Sequence, residues 1–376
     1  MTSRLQTFLT GVKVLDLSQY IPGPMASLLL ADMGAQVLKI EPPQGDEMRN
    51  LGPQDAQGRP LFYNALNAGK QVRRMDLKLG WVREEFLALV AGADVLIEGF
   101  RPGVMARLGL DYATLSVLNP RLVYCSISGY GATGSLALKA AHDGNYLATS
   151  GILDRNGDAA PMFFDPPVAD TSGSLFAVIA ILGALHGRAG SGRGCEIDLG
   201  LADVMMPLQL LQVAEWGANG VIPKPRSTYL NGGAAWYQVY ATSDGRHIML
   251  GCVEAKFWRN FCHAAGHPDW LGRQSEPIPQ TALIADLAAC FQGFTLEQAS
   301  SLFSGVDCCF SPVLDLGEAL TSDQLRERGL VRAGDGPGDL QALFPVKIDG
   351  KAPRLRKPHA RVADGPPVAI AEFLNA

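Results

Sequence analysis

Residues 12–42 read VKVLDLSQYIPGPMASLLLADMGAQVLKIEP. The stretch falls into three pieces. Residues 12–18 form a short apolar run of strand type. Residues 22–35 carry Pro near their start and Gly near their end, the punctuation of a helix. Residues 36–42 return to strand composition. Strand, helix and strand in this succession make a βαβ unit, which lays the two strands parallel in one sheet. Parallel strands are covered on both faces, so they run apolar instead of alternating.

The same alternation continues downstream. A helix over 81–93 leads into a strand over 94–100, and a helix over 112–120 into a strand over 122–128. The expected fold class is α/β, with a Rossmann-like, largely parallel sheet. Residues 173–189 are apolar around much of their circumference and predict a central helix. A turn at 191–194, a short strand over 195–201 and a helix over 202–216 follow. Gly, Pro and Asn break the pattern over 217–235, which reads as a linker. Beyond it, residues 236–253 give two strands around Ser243, Asp244 and Gly245, a hairpin signal. Helices are expected at 254–265, 281–292 and 296–304, and the chain turns Pro-rich and strand-like from about 325. This part reads as a smaller α+β domain.

A length of 376 residues favours two domains over one core. The net charge of −5 comes without blocks of like charge, so no nucleic-acid partner is expected. The seven cysteines show no CxxC pair and no zinc spacing. With no leader pattern at the start, they read as reduced thiols of a cytoplasmic protein. The apolar run 175–185 falls short of the ~20 residues a bilayer span needs. A buried core helix, and no membrane, is the expectation.

Two features compete for the chemistry. Gly129, Gly131 and Gly134 match the spacing of a dinucleotide-binding loop and follow a strand. That fingerprint also needs a helix starting within it and an acid about 20 residues on. The segment SLALKAAHDG that follows is a poor helix nucleus. A turn that lets backbone pass close to another group fits better, although an NAD(P)-dependent dehydrogenase is the alternative to test. The second feature is His142 and Asp143, in a loop at the end of a parallel strand, where open α/β folds bind ligands. Asp143 is expected to cap the helix that begins GNYLATSGIL. Asp170 stands before the most apolar helix, as a cap or as a positioned base with a perturbed pKa. Glu254 opens a helix after the hairpin, where the helix dipole favours an acid.

The chain resembles the family III CoA-transferase and α-methylacyl-CoA racemase superfamily (CaiB/BaiF). The resemblance is carried, in order, by residues 11–43, by NAGKQVRRMDLK, by DVLIEGFRPGVMARLGLDY, by NPRLVYCSISGYGATG, by SGRGCEIDLGLADV and by SGVDCCFSPVLDLGEAL. It spans about 11 to 330. The resemblance implies an interlocked homodimer acting on an acyl-CoA thioester. The implied division is a large Rossmann-like domain over 1–220, a small domain over 221–330, and a C-terminal segment, 331–376, returning to the large domain. In the transferases, an Asp at the position of Asp143 is the covalent nucleophile. In the racemases a His precedes that Asp, as His142 does here. An acid matching Asp170 and a Glu matching Glu254 complete the racemase pattern.

What this implies is an acyl-CoA racemase or epimerase. His142 and Asp170 would carry protons on opposite faces of an α-carbon, Glu254 would steady the imidazole, and the Asp143 N–H would meet the enolate oxygen. Arg101, Lys39 and, less directly, Lys70 would contact coenzyme A. No metal and no redox cofactor is implied. The alternative is a CoA-transferase working through an aspartyl-CoA intermediate on Asp143. FFDPPVAD, NGGAAWYQ and the late RKPHARVADGPP depart from the usual family text. The first two touch the expected acyl pocket.

Overall fold

Six strands realise the alternation: β1 (Lys13–Asp16), β2 (Gln36–Glu41), β3 (Gln71–Arg74), β4 (Val95–Glu98), β5 (Val123–Ser128) and β6 (Cys195–Gly200). All pair in parallel, in the spatial order β3-β2-β1-β4-β5-β6. The computed structural model describes residues 3–158, 160–334 and 339–361. The short strand Ala360–Arg361 pairs parallel with β3 and brings the C-terminal segment to that edge. The rest of that segment, 362–376, lies outside the described residues. Leu15 of β1 stands in register with Leu38 of β2 and Leu96 of β4, and all three are buried. Phe86, Leu89 and Tyr124 join them in one apolar cluster.

Strand β3 was not expected from the sequence. Its residues read QVRR, without the apolar run that marks a buried strand. Ion pairing replaces apolarity here: Arg73 is almost fully buried and meets Glu85 at 2.6 Å.

The central helix runs from Val168 to Ser191 and so begins before residue 173. Asp170 therefore lies inside its first turn and does not precede it. At 24 residues the helix is long and apolar enough to cross a membrane, contrary to the length read from the apolar run alone. In this fold it buries Ala169, Gly173, Ala177 and Ile181. Near its start Ser174 Oγ donates to the Pro22 carbonyl at 2.8 Å, and near its end Arg188 pairs with Asp94 at 2.7 Å. The helix expected over 202–216 is interrupted: Leu201–Val204 and Leu210–Asn219 flank a 3₁₀ turn, Pro207–Gln209. Pro207 lacks the N–H that a continuous helix would use.

The chain divides into two units. The first comprises the described residues up to Ser150, Phe164–Leu208 and those from Asp323 on; the second is Gly151–Phe163 with Gln209–Ser322. These boundaries differ from the expected 220/221 and 330/331. Helix Leu210–Asn219 and the excursion 151–163 belong to the smaller unit. The smaller unit holds the antiparallel sheet Tyr237–Ala241, His247–Gly251 and Phe310–Pro312, with helices Ala255–Ala264, Thr281–Phe291 and Leu296–Phe303. Its core is aromatic: the Phe261 ring lies 5.5 Å from Trp258 and 5.4 Å from Phe303.

Candidate active site

In an open α/β sheet, ligands bind beyond the carboxyl ends of the strands where the strand order reverses. Here that point lies between β1 and β4. The loops leaving these two strands border a cleft of about 370 Å³, lined by Leu17, Gln19, Tyr20, Phe100, Arg101 and Arg107 among others. Arg101 is exposed there. The position follows from topology: β4 ends at Glu98, whose Oε2 accepts the Phe100 N–H at 2.7 Å and fixes the loop that carries Arg101. Burial raises the Glu98 pKa.

Lys39 and Lys70 are not among the residues that line the cleft with Arg101. Both are buried. Lys39 Nζ pairs with Asp46 at 2.9 Å and donates to the Ser18 carbonyl at 2.7 Å. Lys70 Nζ pairs with Asp16 at 3.2 Å and donates to the Pro24 carbonyl and to Asn67 Oδ1. Lys39 lies on β2 and Asp16 on β1, inside the sheet, and Lys70 directly precedes β3. Burial alone would raise the Asp16 pKa, but the charges of Lys39 and Lys70 and the hydroxyls of Ser18 and Ser27 together outweigh it and hold the carboxyl well below the usual carboxylate range. Burial in turn lowers the Lys70 pKa.

After β5 the chain crosses the glycine turn and reaches His142. Ala132 N donates to Asp198 at 3.0 Å, and no helix begins in the turn. A Cβ on Gly129 would stand 2.7 Å from the Tyr146 hydroxyl, so this glycine serves close approach of a ring. His142 is itself the N-cap of helix Asp143–Thr149, and Asp143 is the first helical residue and not the cap, so the helix begins one residue earlier than expected. The His142 N–H donates to Asn145 Oδ1 at 2.9 Å, and the exposed imidazole stands edge-on to the Tyr20 ring, 6.2 Å between centroids.

Asp143 Oδ1 accepts the N–H groups of Ala169 and Asp170 at 2.7 and 3.0 Å. It caps the helix Val168–Ser191 from a distant part of the chain, since the N-cap residue, Pro167, makes no side-chain cap bond. Asp170 is thereby released from the capping role and brought beside Asp143. Burial and, second, the Asp143 charge push the Asp170 carboxyl up to about 7. Such a group holds a proton and gives it up near neutral pH. Glu254, in the smaller unit, is the N-cap residue of helix Ala255–Ala264; its side chain makes no cap bond and is exposed.

The structure thus brings Asp143 against the start of the helix that carries Asp170; His142, next to Asp143 in the chain, faces Tyr20, and Arg101 lies at the cleft of the same unit. Sequence reasoning missed Tyr20 and Arg107. For Tyr20 the available signal was an aromatic residue between a strand end and Pro22.

A family profile described as CoA-transferase family III matches residues 9–369. The chain belongs to CoA-transferase family III. Among relatives, an acetyl-CoA:oxalate CoA-transferase of Acetobacter aceti is 31% identical, over 97% of this chain and 95% of its own. An alpha-methylacyl-CoA racemase of Mus musculus is 34% identical, over 85% of this chain and 81% of its own. The crystal structure of a CAIB/BAIF family protein from Brucella suis superposes with a TM-score of 0.83 at 28% identity, covering 99% of this chain and all of that one. Family III members named in these comparisons include both transferases and racemases, so membership fixes an enzyme acting on CoA thioesters, and the site must choose between the two reactions.

Proposed function

We propose that this family III protein is an acyl-CoA racemase or epimerase that inverts the α-carbon of a 2-methyl-branched acyl-CoA. The observation that carries this reading is the hydrogen bond that sets Asp143, the neighbour of His142 in the chain, against Asp170; burial and the Asp143 charge push the Asp170 carboxyl up to about 7. A proton α to a thioester carbonyl is weakly acidic. Its removal needs a base within hydrogen-bond reach and a donor for the enolate oxygen. Inversion needs a second proton carrier on the opposite face. Neutral His142 takes the proton from one side while protonated Asp170 delivers one from the other; in reverse, the Asp170 carboxylate takes and the imidazolium returns. One proton leaves and one arrives, so the composition of the substrate is unchanged. The N–H of Asp143, first in its helix and without an intrahelical acceptor, is assigned to the enolate oxygen. Glu254 is assigned the role of stabilising the imidazolium, and Arg101 that of meeting a coenzyme A phosphate, for which a guanidinium fork is suited. The chemistry is proton transfer, and coenzyme A enters only as the substrate's carrier.

The reading includes a cytoplasmic homodimer, consistent with seven free thiols and with exposed Leu210, Leu211 and Trp216 on one helix. Light scattering that returned the mass of a single chain would remove the dimer. A second reading, CoA transfer with Asp143 as nucleophile, is favoured by the relatives that carry transferase names. The deciding experiment incubates a single-epimer 2-methylacyl-CoA in deuterated water. Racemisation predicts α-deuterium and loss of optical purity, with His142→Ala abolishing both while thioester binding persists. Absence of exchange, with a hydroxylamine-trappable acyl-enzyme on Asp143, would establish transfer instead.

A further inference from the structure

Tyr20 adopts φ = 63°, in the left-handed region. A Tyr there has neither the bare α-carbon of Gly nor the short polar side chain that eases Asn and Asp into it. The residue is 41% exposed, so core packing does not account for it. The backbone around it is pinned. Leu17 N donates to the Ile97 carbonyl at 2.8 Å, Ser18 N donates to Asp16 Oδ1 at 3.0 Å, and the Ser18 carbonyl accepts from buried Lys39. Gly23 closes the loop on itself: a Cβ there would meet Ser18 at 2.1 Å. An unfavourable conformation held by so many surrounding contacts points to a function. The ring lines the cleft with Gln19, Phe100, Arg101 and Leu138, and it also stands edge-on to the imidazole of His142.

We propose that Tyr20 sets the size of the α-substituent that the site admits, limiting it to a group of about methyl size. The inference rests on the reading that the substrate's α-carbon meets His142. A carbon held against that imidazole has the Tyr20 ring as its neighbour, and the locked backbone prevents the loop from carrying the ring aside. The ring, and not its hydroxyl, would set the limit.

The test compares wild type with Tyr20→Gly and Tyr20→Phe. Calorimetry measures binding of free CoA, 2-methylhexanoyl-CoA and 2-butylhexanoyl-CoA, whose α-carbon carries two butyl groups and no methyl, and α-deuterium uptake is followed in parallel for both thioesters. Tyr20→Gly should improve binding of the butyl-branched thioester relative to the methyl-branched one by tenfold or more. Free CoA binding should stay within about twofold, and Tyr20→Phe should behave as wild type. Gly accepts the left-handed backbone without strain, so Tyr20→Gly should melt no lower than wild type, and a folded variant is expected. An unchanged ratio of the two thioesters in folded Tyr20→Gly overturns the proposal. If wild type takes up no deuterium from any thioester, the proton-transfer reading fails, and the ratio of binding constants still decides the role of Tyr20.

Discussion

The carboxylate of Asp143 holds the backbone of Asp170, 3.0 Å from Oδ1 to N. With the bond from Ala169 N to the same oxygen, this contact starts the longest helix among the described residues and sets two acids side by side, which adds to the burial that raises the Asp170 carboxyl toward neutrality. Asp143 acts on the site through what it holds as well as through its own charge.

Replacing Asp143 separates these two effects. Asp143→Ala removes the cap and should cost about 1 kcal/mol in urea unfolding. Asp143→Asn retains an acceptor oxygen and should cost less. Both remove the neighbouring charge, so the Asp170 carboxyl should titrate lower than in wild type when followed by carbon NMR. An unmoved Asp170 titration in Asp143→Asn would show that burial alone sets it.

Asp170 makes stability depend on pH in a definite direction. An ordinary Asp titrates near 3.8, and Asp170 is raised to about 7 in the fold. Between these values the folded state holds a proton that the unfolded state has lost. The contribution of Asp170 is fully present below about pH 4, falls as pH rises, and is gone above about 7. Asp170→Asn has no such proton to lose. It should match wild type near pH 4 and exceed it at pH 8 by on the order of 2 kcal/mol, allowing for partial exposure. Equal stabilities at pH 8 would mean that the carboxyl is not raised. In the proposed reaction the same variant should lose α-proton exchange by at least 10²-fold, the scale of a general acid–base group.

The cations divide into two kinds with opposite signatures. Arg101→Gln should weaken binding of CoA thioesters by about 10–100-fold, the scale of a charge-assisted hydrogen bond, with no change in melting temperature. Lys70→Met leaves Asp16 buried beside one ammonium fewer and should destabilise the fold by about 3–5 kcal/mol. Binding that is lost in a fully stable Lys70→Met protein would return that lysine to the ligand.

Glu254 is exposed and makes no cap bond. Glu254→Gln should therefore leave stability within about 0.5 kcal/mol of wild type. If Glu254 steadies the imidazolium, the same variant should lower kcat for exchange at least tenfold and shift the pH profile of His142. Full activity in Glu254→Gln would remove it from the machinery.

Much of the sheet was legible because its signals are local. Residues 12–42 carry strand, Pro, Gly and strand in an order that leaves one sensible arrangement, and the helices of the smaller unit have similarly clear punctuation. Strand β3 was not legible, because Arg73 becomes a buried strand residue only through Glu85, and nothing near it in the chain announces that partner. The start of the long helix was misplaced for the same reason: its cap is Asp143, far away in sequence. Lys39 and Lys70 show the converse. The strand-end position of Lys39 and the resemblance suggested an anion site, and only the fold shows that both lysines are buried partners of carboxylates.

The sequence by itself determined the alternating architecture, the residue types available for proton transfer and the likeness to family III. The tertiary structure alone decided which of those residues share a place. Hydrophobic periodicity and helix punctuation act over a few neighbouring residues, whereas burial, the proximity of two acids and the pinning of Tyr20 arise between segments that only folding brings together.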